Sequence, residues 1–422
     1  MQEARLFSDR LSAGDLSHRL LGSAGTGLLE LSKSSLPLRL RPEARLAVLD
    51  ITEFFGETSG GVRTYLMEKA AYFEARPALR HVLVVPGPAD AVTEAGGVRC
   101  YRLRGPRVPT QQPYRFMLAT HTNRRIVEHE RPDVIEVGSP GLVPWIVRSA
   151  AASLSVPLVY FFHSNYPALF GTGLARRALA RYARALDRLF AATVVASESA
   201  ADELRRSGVD RVVRIPLGVD LDGFHPARRS RATEVRARLG IDGGPLVVFV
   251  GRFAREKRLG LLLAAWPRIH ARTGAHLLLV GDGPLRGPLL RSVSGQAWAA
   301  SVHWVPFTAD RNELADLLAA SELLISPGSA ETFGLAPLEA MASGTPVLSA
   351  DRGGVAEQVI AAGAGALFRD GDAEGLAATA ERLLASDLTP LRTLAREYAE
   401  REHDWERVFG RLIALYDQVR CS

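Results

Sequence analysis

The stretch PLVVFVGRFAREKRLGLLL, residues 245–263, contains an apolar run, a short basic loop and an apolar helical segment in direct succession. The run at 245–250 shows no alternation of polar and apolar residues, which is typical of a strand buried on both faces. Such strands occur in parallel sheets that are covered by helices on both sides. The stretch therefore predicts one βα unit of an α/β protein.

Nine further apolar runs recur along the chain and alternate with segments of helical spacing. They lie at 45–51, 81–87, 133–139, 157–163, 192–199, 276–283, 302–307, 322–329 and 345–351. This alternation predicts two Rossmann-like, doubly wound parallel-sheet domains of the α/β class. The chain has 422 residues, of which 47% are hydrophobic and 23% charged, so it is long and apolar enough for two such cores and does not resemble a disordered or fibrous protein.

The stretch RIPLGVDLDGFHPARRS, residues 214–230, is rich in glycine, proline and charge and predicts a hinge between the two domains. We place an N-terminal domain at 44–220 and a C-terminal domain at 221–400. Residues 1–43 lack clear periodicity and form an extension to which no order is assigned. The final segment, 401–422, has helical spacing and is predicted to pack back on the N-terminal domain.

Two basic residues follow the strand at 245–250, at the edge of the sheet where ligands bind in folds of this kind. Arg252 and Lys257 suit a diphosphate, because arginine grips oxygens with a forked guanidinium and lysine acts as a point charge. Lysine occurs at only three positions among 52 basic residues, which favours a site at Lys257 that needs a compact ammonium. A solvated basic loop is the alternative explanation.

The stretch SAETFGLAPLEAMASGTPV, residues 329–347, places two carboxylates eight positions apart around a turn. Gly334 permits the turn, and a helix is predicted to follow it. Glu339 is predicted to lie in the first turn of that helix, where the helix dipole favours a carboxylate that can reach a ribose hydroxyl. Glu331 is predicted to point at the ligand in the cleft. A purely structural role as a capping acid also explains Glu339, but not Glu331.

Gly60 and Gly61 follow the first predicted strand and open a helix. Bare backbone amides at a helix N-terminus can bind an anion or a sugar hydroxyl, although a tight turn alone also explains this glycine pair. His163 ends another strand and can orient a substrate or move protons. Isolated histidines are more often structural, so this assignment depends on other residues of the same cleft.

Taken in order, these motifs resemble the retaining GT-B glycosyltransferases of family 4. The motifs are a glycine pair after the first strand, a histidine at a strand end, G-R-x5-K, GDGP, and E-x7-E followed by G-x-P-V. The linker IPLGVDLDGFHP is similar to the interdomain linker of that family, although Leu217 stands where many members have asparagine. The resemblance covers residues 45 to about 420 and leaves out 1–43.

The resemblance implies a GT-B enzyme whose two domains face each other across a cleft, the N-terminal one binding the acceptor and the C-terminal one the donor. Such an enzyme moves a hexose from a nucleotide diphosphate sugar to an acceptor hydroxyl, with retention of anomeric configuration. The implied catalytic residues are His163, Arg252, Lys257 and Glu331. The implied donor-binding residues are Gly60, Gly61, Arg252, Lys257, Glu331, Phe333, Gly334, Leu335 and Glu339, of which Glu331 would contact the sugar and Glu339 the ribose.

No metal and no cofactor beside the donor is expected, because Arg252 and Lys257 would supply the positive charge. The DLD at 220–222 lies in the hinge motif, and the DGD at 370–372 is a turn signal.

The donor remains open between GDP-mannose and a UDP-hexose. HSNYP, residues 163–167, is similar to a segment of members that glycosylate lipids, which favours a lipid or glycan acceptor. The alternatives are a nucleotide-sugar epimerase on the same scaffold and a non-catalytic GT-B-like binding protein.

The stretch LARRALARYARALDRL, residues 174–189, predicts a helix with one basic stripe. The stripe consists of Arg177, Arg181, Arg184 and Arg188. It is either a solvated face or a contact with anionic lipid headgroups. Basic residues are otherwise dispersed, so no nucleic acid partner is expected.

No apolar run is long enough to cross a bilayer, and the N-terminus MQEARLFSDR lacks the order of a secretory signal. Cys100 and Cys421 match no disulfide or metal framework. We therefore expect a cytoplasmic protein at the inner face of the membrane.

Overall fold

A computed structural model of the chain describes residues 12–21, 36–56, 60–109, 114–163, 173–308 and 310–421. These residues form two α/β units, each built on one open sheet. The doubly wound fold that the sequence predicts is confirmed. Among the described residues, no helix is both long enough and apolar enough to cross a membrane.

The first sheet has the strand order β3-β4-β2-β1-β5-β6-β7-β8. All neighbouring strands are parallel except the antiparallel pair β3 and β4. The strands are β1 (Leu46–Ile51), β2 (Leu79–Gly87), β3 (Ala91–Ala95), β4 (Val98–Arg104), β5 (Val134–Val137), β6 (Leu158–Phe161), β7 (Ala192–Val195) and β8 (Val212–Arg214). The accompanying helices are α1 (Ala13–Leu21), α2 (Gly61–Glu74), α3 (Thr120–Glu130), α4 (Val143–Leu154), α5 (Leu174–Asp187) and α6 (Glu198–Arg206).

The second sheet has the order β11-β10-β9-β12-β13-β14 and is parallel throughout. Its strands are β9 (Leu246–Val250), β10 (His276–Val280), β11 (Val302–Val305), β12 (Leu323–Ser326), β13 (Val347–Ala350) and β14 (Gly365–Phe368). The helices that follow the first unit are α7 (Ala232–Leu239), α8 (Leu259–Thr273), α9 (Arg286–Val293), α10 (Arg311–Ala320), α11 (Leu335–Ala342), α12 (Gly354–Ala362), α13 (Ala373–Leu384), α14 (Thr389–Glu402) and α15 (Trp405–Arg420).

The central strands are buried on both faces, as their uninterrupted apolar sequences require. In β1, Leu46 and Val48 belong to one hydrophobic core, whereas Leu49 and Ile51 belong to another. Because successive residues of a strand point to opposite faces, helices cover both sides of this sheet. The loops that follow the strands lie at the carboxyl edge of the sheet.

All ten predicted runs contain strands, but the sequence did not predict β3, β4, β8 or β14. The sequence of β4, VRCYRLR, contains three arginines and reads as polar. Arg99 nevertheless points into the protein, where its guanidinium lies 2.5 Å from the Glu130 carboxylate.

Within the extension at 1–43, α1 forms a helix whose Leu16 and Leu20 are fully buried. Two apolar residues in one helix are too few to be recognised from sequence.

Helix α15 packs on the first unit through a buried charged cluster. The Lys69 ammonium lies 2.8 Å from Asp50 Oδ1, 3.3 Å from Glu136 Oε2 and 2.7 Å from the Tyr416 hydroxyl of α15. Tyr416 in turn donates to Glu136, and Tyr65 donates to the other oxygen of Glu136 at 2.9 Å. One ammonium thus serves two buried carboxylates and fixes the C-terminal helix.

We expect Lys69→Met to lower the free energy of unfolding by about 3–5 kcal/mol, because it leaves two buried carboxylates without their counter-charge. Urea unfolding followed by tryptophan fluorescence measures this loss. Arg45→Met is the matched control, because Arg45 pairs with Asp417 of the same helix at 3.1 Å but on the surface. It should cost about 1 kcal/mol or less. Equal losses in the two variants would contradict the assigned role of Lys69.

Candidate active site

The carboxyl edges of the two sheets meet, and loops from both units touch there. The Thr332 hydroxyl, in the loop after β12, donates to the His163 carbonyl at 3.1 Å. A Cβ placed on Gly61 would lie 3.9 Å from the Cβ of Leu335. The structure therefore brings Gly61, His163 and the loop that contains Glu331 into one cleft.

The glycine pair lies at the N-terminus of α2. Gly60 is the N-cap residue, and no side chain of a described residue caps the helix at this end. Both glycines are exposed, and no described atom lies within 4 Å of a Cβ built on Gly60. The first backbone N–H groups of a helix have no partner within the helix, so an anion or a sugar oxygen can accept from them at this end of α2.

On the opposite side of the cleft, Lys257 and Glu331 form an ion pair between Nζ and Oε1. Lys257 lies in a short 3₁₀ turn, Arg255–Lys257, directly before α8, and Glu331 lies in the loop after β12. Both side chains are about one quarter exposed, at 25% and 22%. Both side chains are therefore partly open to solvent, and their contact with a donor stays a prediction.

Arg252 follows β9 and Gly251 at the same edge of the sheet. Its Nε is buried and has no hydrogen-bond partner among the described residues. Its guanidinium carbon lies 5.5 Å from the centroid of the Tyr114 ring, which belongs to the first unit. Because an unpaired buried N–H is costly, a ligand oxygen that accepts from this group would bind favourably.

Burial lowers the pKa values of two candidate groups, Lys257 and His163. It lowers the pKa of Lys257 to about 8; Arg252 acts in the same direction and Glu256 against it. It also lowers the pKa of His163 to about 3. The His163 ring stacks on Phe161 with a centroid distance of 4.3 Å. His163 is therefore a neutral imidazole near pH 7, which can orient a ligand but brings no positive charge.

The loop between β12 and α11 is shaped by Gly334, the N-cap residue of α11, whose φ of 97° favours glycine. Phe333 is buried, and its carbonyl accepts a hydrogen bond from Gln358 at 2.6 Å. Leu335, the first residue of the helix, is half-buried and faces Gly61.

The predicted position of Glu339 in the first turn of its helix is wrong. Helix α11 begins at Leu335, so Glu339 is its fifth residue, and the first turn contains no acid. A cation rather than the helix dipole stabilises this carboxylate: Arg311 Nη1 donates to Glu339 Oε1 at 3.0 Å, and the Glu339 side chain is 5% exposed. The ribose contact of Glu339 stays a prediction.

Sequence reasoning missed three residues of the cleft. Arg311 comes from the start of α10, Tyr114 from the first unit, and Glu357 from α12. The Glu357 carboxylate accepts from the backbone N–H groups of Glu198 and Ser199, across the two units. The sequence holds no signal for these contacts, because each joins residues that lie far apart along the chain.

The other motifs have local roles among the described residues. In DLD, Asp220 Oδ1 accepts from the Gly223 N–H at 2.9 Å, and in DGD, Asp370 pairs with Arg258. No group of three or more His, Cys, Asp or Glu residues that could hold a metal ion occurs in the described ranges. Residues 164–167, which carry most of the similarity to lipid-glycosylating enzymes, lie outside the described residues.

Two family profiles match the chain, one in each unit. The profile described as Glycosyltransferase Family 4 matches residues 59–222, and the profile described as Glycosyl transferases group 1 matches residues 244–386.

Similar proteins include a GDP-mannose-dependent alpha-(1-6)-phosphatidylinositol dimannoside mannosyltransferase of Mycobacterium tuberculosis. It is 31% identical over 384 residues, which cover 89% of this chain and 97% of that protein. A sulfoquinovosyl transferase of Arabidopsis thaliana is 30% identical over 77% of this chain and 64% of its own length. Among solved structures, sucrose-phosphate synthase of Thermosynechococcus elongatus shares the fold with a TM-score of 0.72 at 24% identity, over 89% of this chain and 99% of that one.

We expect the affinity of the chain for GDP or UDP to fall as pH rises through about 8, because Lys257 loses its proton above its lowered pKa. Isothermal titration calorimetry between about pH 7 and pH 9.5 measures the change. Lys257→Arg should bind with little dependence on pH in this range, because arginine stays charged. The same alkaline loss in the variant would show that Lys257 is not the titrating group.

Proposed function

The chain belongs to glycosyltransferase family 4, and we propose that it transfers a mannosyl residue from GDP-mannose to a hydroxyl of a lipid acceptor, with retention of anomeric configuration. Family membership and the mannosyltransferase relative make it a hexosyltransferase. The donor assignment is supported by that relative, which covers most of both chains. The sulfoquinovosyl transferase, another relative, is named for the transfer of a different sugar. The identity of the donor is therefore the first point to test.

The observation that carries this proposal is the convergence of three groups on one side of the cleft. Lys257 and Glu331 pair with each other, and Arg252, whose Nε has no hydrogen-bond partner in the described part of the chain, belongs to the same edge of the sheet. A diphosphate suits the two cations, and a carboxylate beside them suits the hydroxyls of the attached sugar. At the N-terminus of α2 in the other unit, a Cβ placed on Gly61 would lie 3.9 Å from the Cβ of Leu335, which follows Glu331 by four residues.

In the proposed reaction, the bond between C1 of the sugar and the diphosphate oxygen breaks while C1 bonds to the acceptor oxygen on the same face. The proton of the acceptor hydroxyl passes to the leaving phosphate, so no protein nucleophile is required. Arg252 and Lys257 offset the charge that develops on the diphosphate. Glu331 holds the sugar hydroxyls, and neutral His163 orients the transferred ring. Because two side-chain cations serve the diphosphate, the proposal includes no metal.

We expect GDP-mannose to raise the melting temperature more than UDP-glucose does, because the ligand that binds the folded state more tightly stabilises it more. With a lipid acceptor extract, the chain should then release GDP, and Lys257→Ala should lower turnover by about two to three orders of magnitude. Arg272→Gln, at an exposed arginine of α8, is the control with unchanged turnover. A larger shift with UDP-glucose would overturn the donor assignment, and isomerised donor without acceptor would indicate an epimerase.

The basic stripe of α5 supports a contact with an anionic membrane at the inner face. Arg177, Arg181, Arg184 and Arg188 are all exposed, whereas Ala183 and Leu186 of the opposite face are buried. Trp145 is 40% exposed beside this helix, and its indole N–H donates to the Tyr182 hydroxyl at 3.3 Å. Exposed tryptophan and arginine side chains together suit the headgroup region of a bilayer.

We expect the chain to co-sediment with vesicles that contain anionic lipid and not with neutral vesicles. The double variant Arg181→Gln, Arg184→Gln should lose most of this binding, because each basic residue near an anionic surface contributes about 1 kcal/mol. The double variant Arg272→Gln, Arg291→Gln removes the same charge from exposed positions of the second unit and should bind normally. Equal sedimentation of both variants would exclude a specific role of α5.

A further inference from the structure

A cavity of about 610 Å³ opens at the carboxyl edge of the first sheet, beside the proposed active site. Its floor is formed where β2 and β4 end, at Pro88 and Arg104. Its wall includes Arg115 and Leu118, in the segment between β4 and α3. The proposed reaction assigns no role to these residues.

Residues 105–109 and 114–118 form an arch over this edge. The Val108 N–H donates to the Tyr114 carbonyl and the Phe116 N–H to the Pro106 carbonyl, each at 2.9 Å. The arch requires glycine at position 105, because a Cβ there would lie 1.9 Å from the Phe116 carbonyl oxygen. The two sides of the arch are therefore in direct backbone contact.

The arch is held against both sides of the proposed active site. The Met117 N–H donates at 3.3 Å to Glu53 Oε1, in the loop after β1. The Tyr114 ring lies 6.1 Å from the Phe54 ring and 5.5 Å from the guanidinium carbon of Arg252. The cavity thus belongs to the first unit, and Tyr114, next to its lining residue Arg115, contacts Arg252 of the second unit.

The charge of the cavity is positive. Arg115 Nη1 donates to the Gly105 carbonyl at 2.8 Å, which fixes its guanidinium while other N–H groups remain available. The Arg104 side chain is exposed and makes no hydrogen bond or ion pair with any described residue; Asp90 accepts only from its backbone N–H. No carboxylate is among the residues that line the cavity. Two guanidinium groups without a carboxylate favour a phosphate.

The rim of the cavity is apolar, with Leu118 52% exposed and Phe116 36% exposed. In the sheet, β2 alone separates β4 from β1, so the cavity lies about 10 Å from the loops of the cleft at two strand spacings. A group bound there is therefore close enough to belong to the same acceptor molecule whose hydroxyl enters the cleft.

We propose that this cavity binds a phosphate group of the acceptor through Arg104 and Arg115, with the apolar part of the acceptor lying on Leu118. The inference rests on the proposed function, because it names the chemical class of acceptor for the same site. It also predicts that recognition depends on the phosphate whether or not lipid chains are attached.

Three probes test this inference by calorimetric titration in the presence of GDP: phosphatidylinositol dimannoside in micelles, its deacylated form, and the dimannosyl inositol without phosphate. We expect the two phosphate-bearing probes to bind at least about tenfold more tightly than the third. Arg104→Gln should weaken only those two, by about ten- to a hundredfold, since a hydrogen bond to a charged group is lost. Arg272→Gln is the control with unchanged affinities.

Gly105→Ala tests the arch without changing charge and should weaken the same two probes, while the melting temperature reports whether the fold survives. Preferential binding of the lipid over its deacylated form would place the contribution of the chains on the rim, and equal binding would place recognition in the phosphate alone. Equal affinity for the probe without phosphate, or no effect of Arg104→Gln, would overturn the proposal. Failure of GDP-mannose to bind or react would instead count against the proposed function.

Discussion

The ion pair between Lys257 and Glu331 sets the conditions under which the cleft can accept a ligand. Without a ligand, each group neutralises the other at the edge of the second sheet. An anion that binds Lys257 alone would leave the carboxylate without its partner and close to a like charge, which is unfavourable. A ligand that carries a diphosphate and neighbouring hydroxyls serves both groups at once. This constraint favours a nucleotide sugar over a free nucleotide.

Contacts across the cleft come from the loop that contains Glu331 and from α12. Thr332 reaches the carbonyl of His163, while Glu357 accepts from the N-terminus of α6 in the other unit. His163 packs against Tyr65, with 5.2 Å between the ring centroids. The Tyr65 hydroxyl in turn belongs to the buried cluster around Lys69. The carboxyl edge of the first sheet and the anchoring of the C-terminal helix are therefore parts of one packed arrangement.

The fold could be predicted from sequence because burial on both faces demands apolar runs, and these runs are local. The helix start before Glu339 was misplaced because the left-handed conformation of Gly334 fixes it, and the pattern of residues does not reveal that angle. Two of the three lysines show how far the role of a residue can be predicted from the sequence alone. Lys257 could be assigned from its place after a strand, whereas the role of Lys69 depends on Asp50, Glu136 and Tyr416, the last of which is 347 residues away. The chemical roles of the cleft residues stay predictions.

The chain passes between the two units twice, and the two passages lie side by side. The Val219 N–H donates to the His403 carbonyl at 2.8 Å, and the His403 imidazole contacts the Leu217 carbonyl at 2.8 Å. Leu217 thus contributes its backbone carbonyl to this contact, and its buried side chain belongs to the hydrophobic core. The two passages therefore form a paired strap between the units. A protease that severed either strand of the strap would leave the halves tethered by the other.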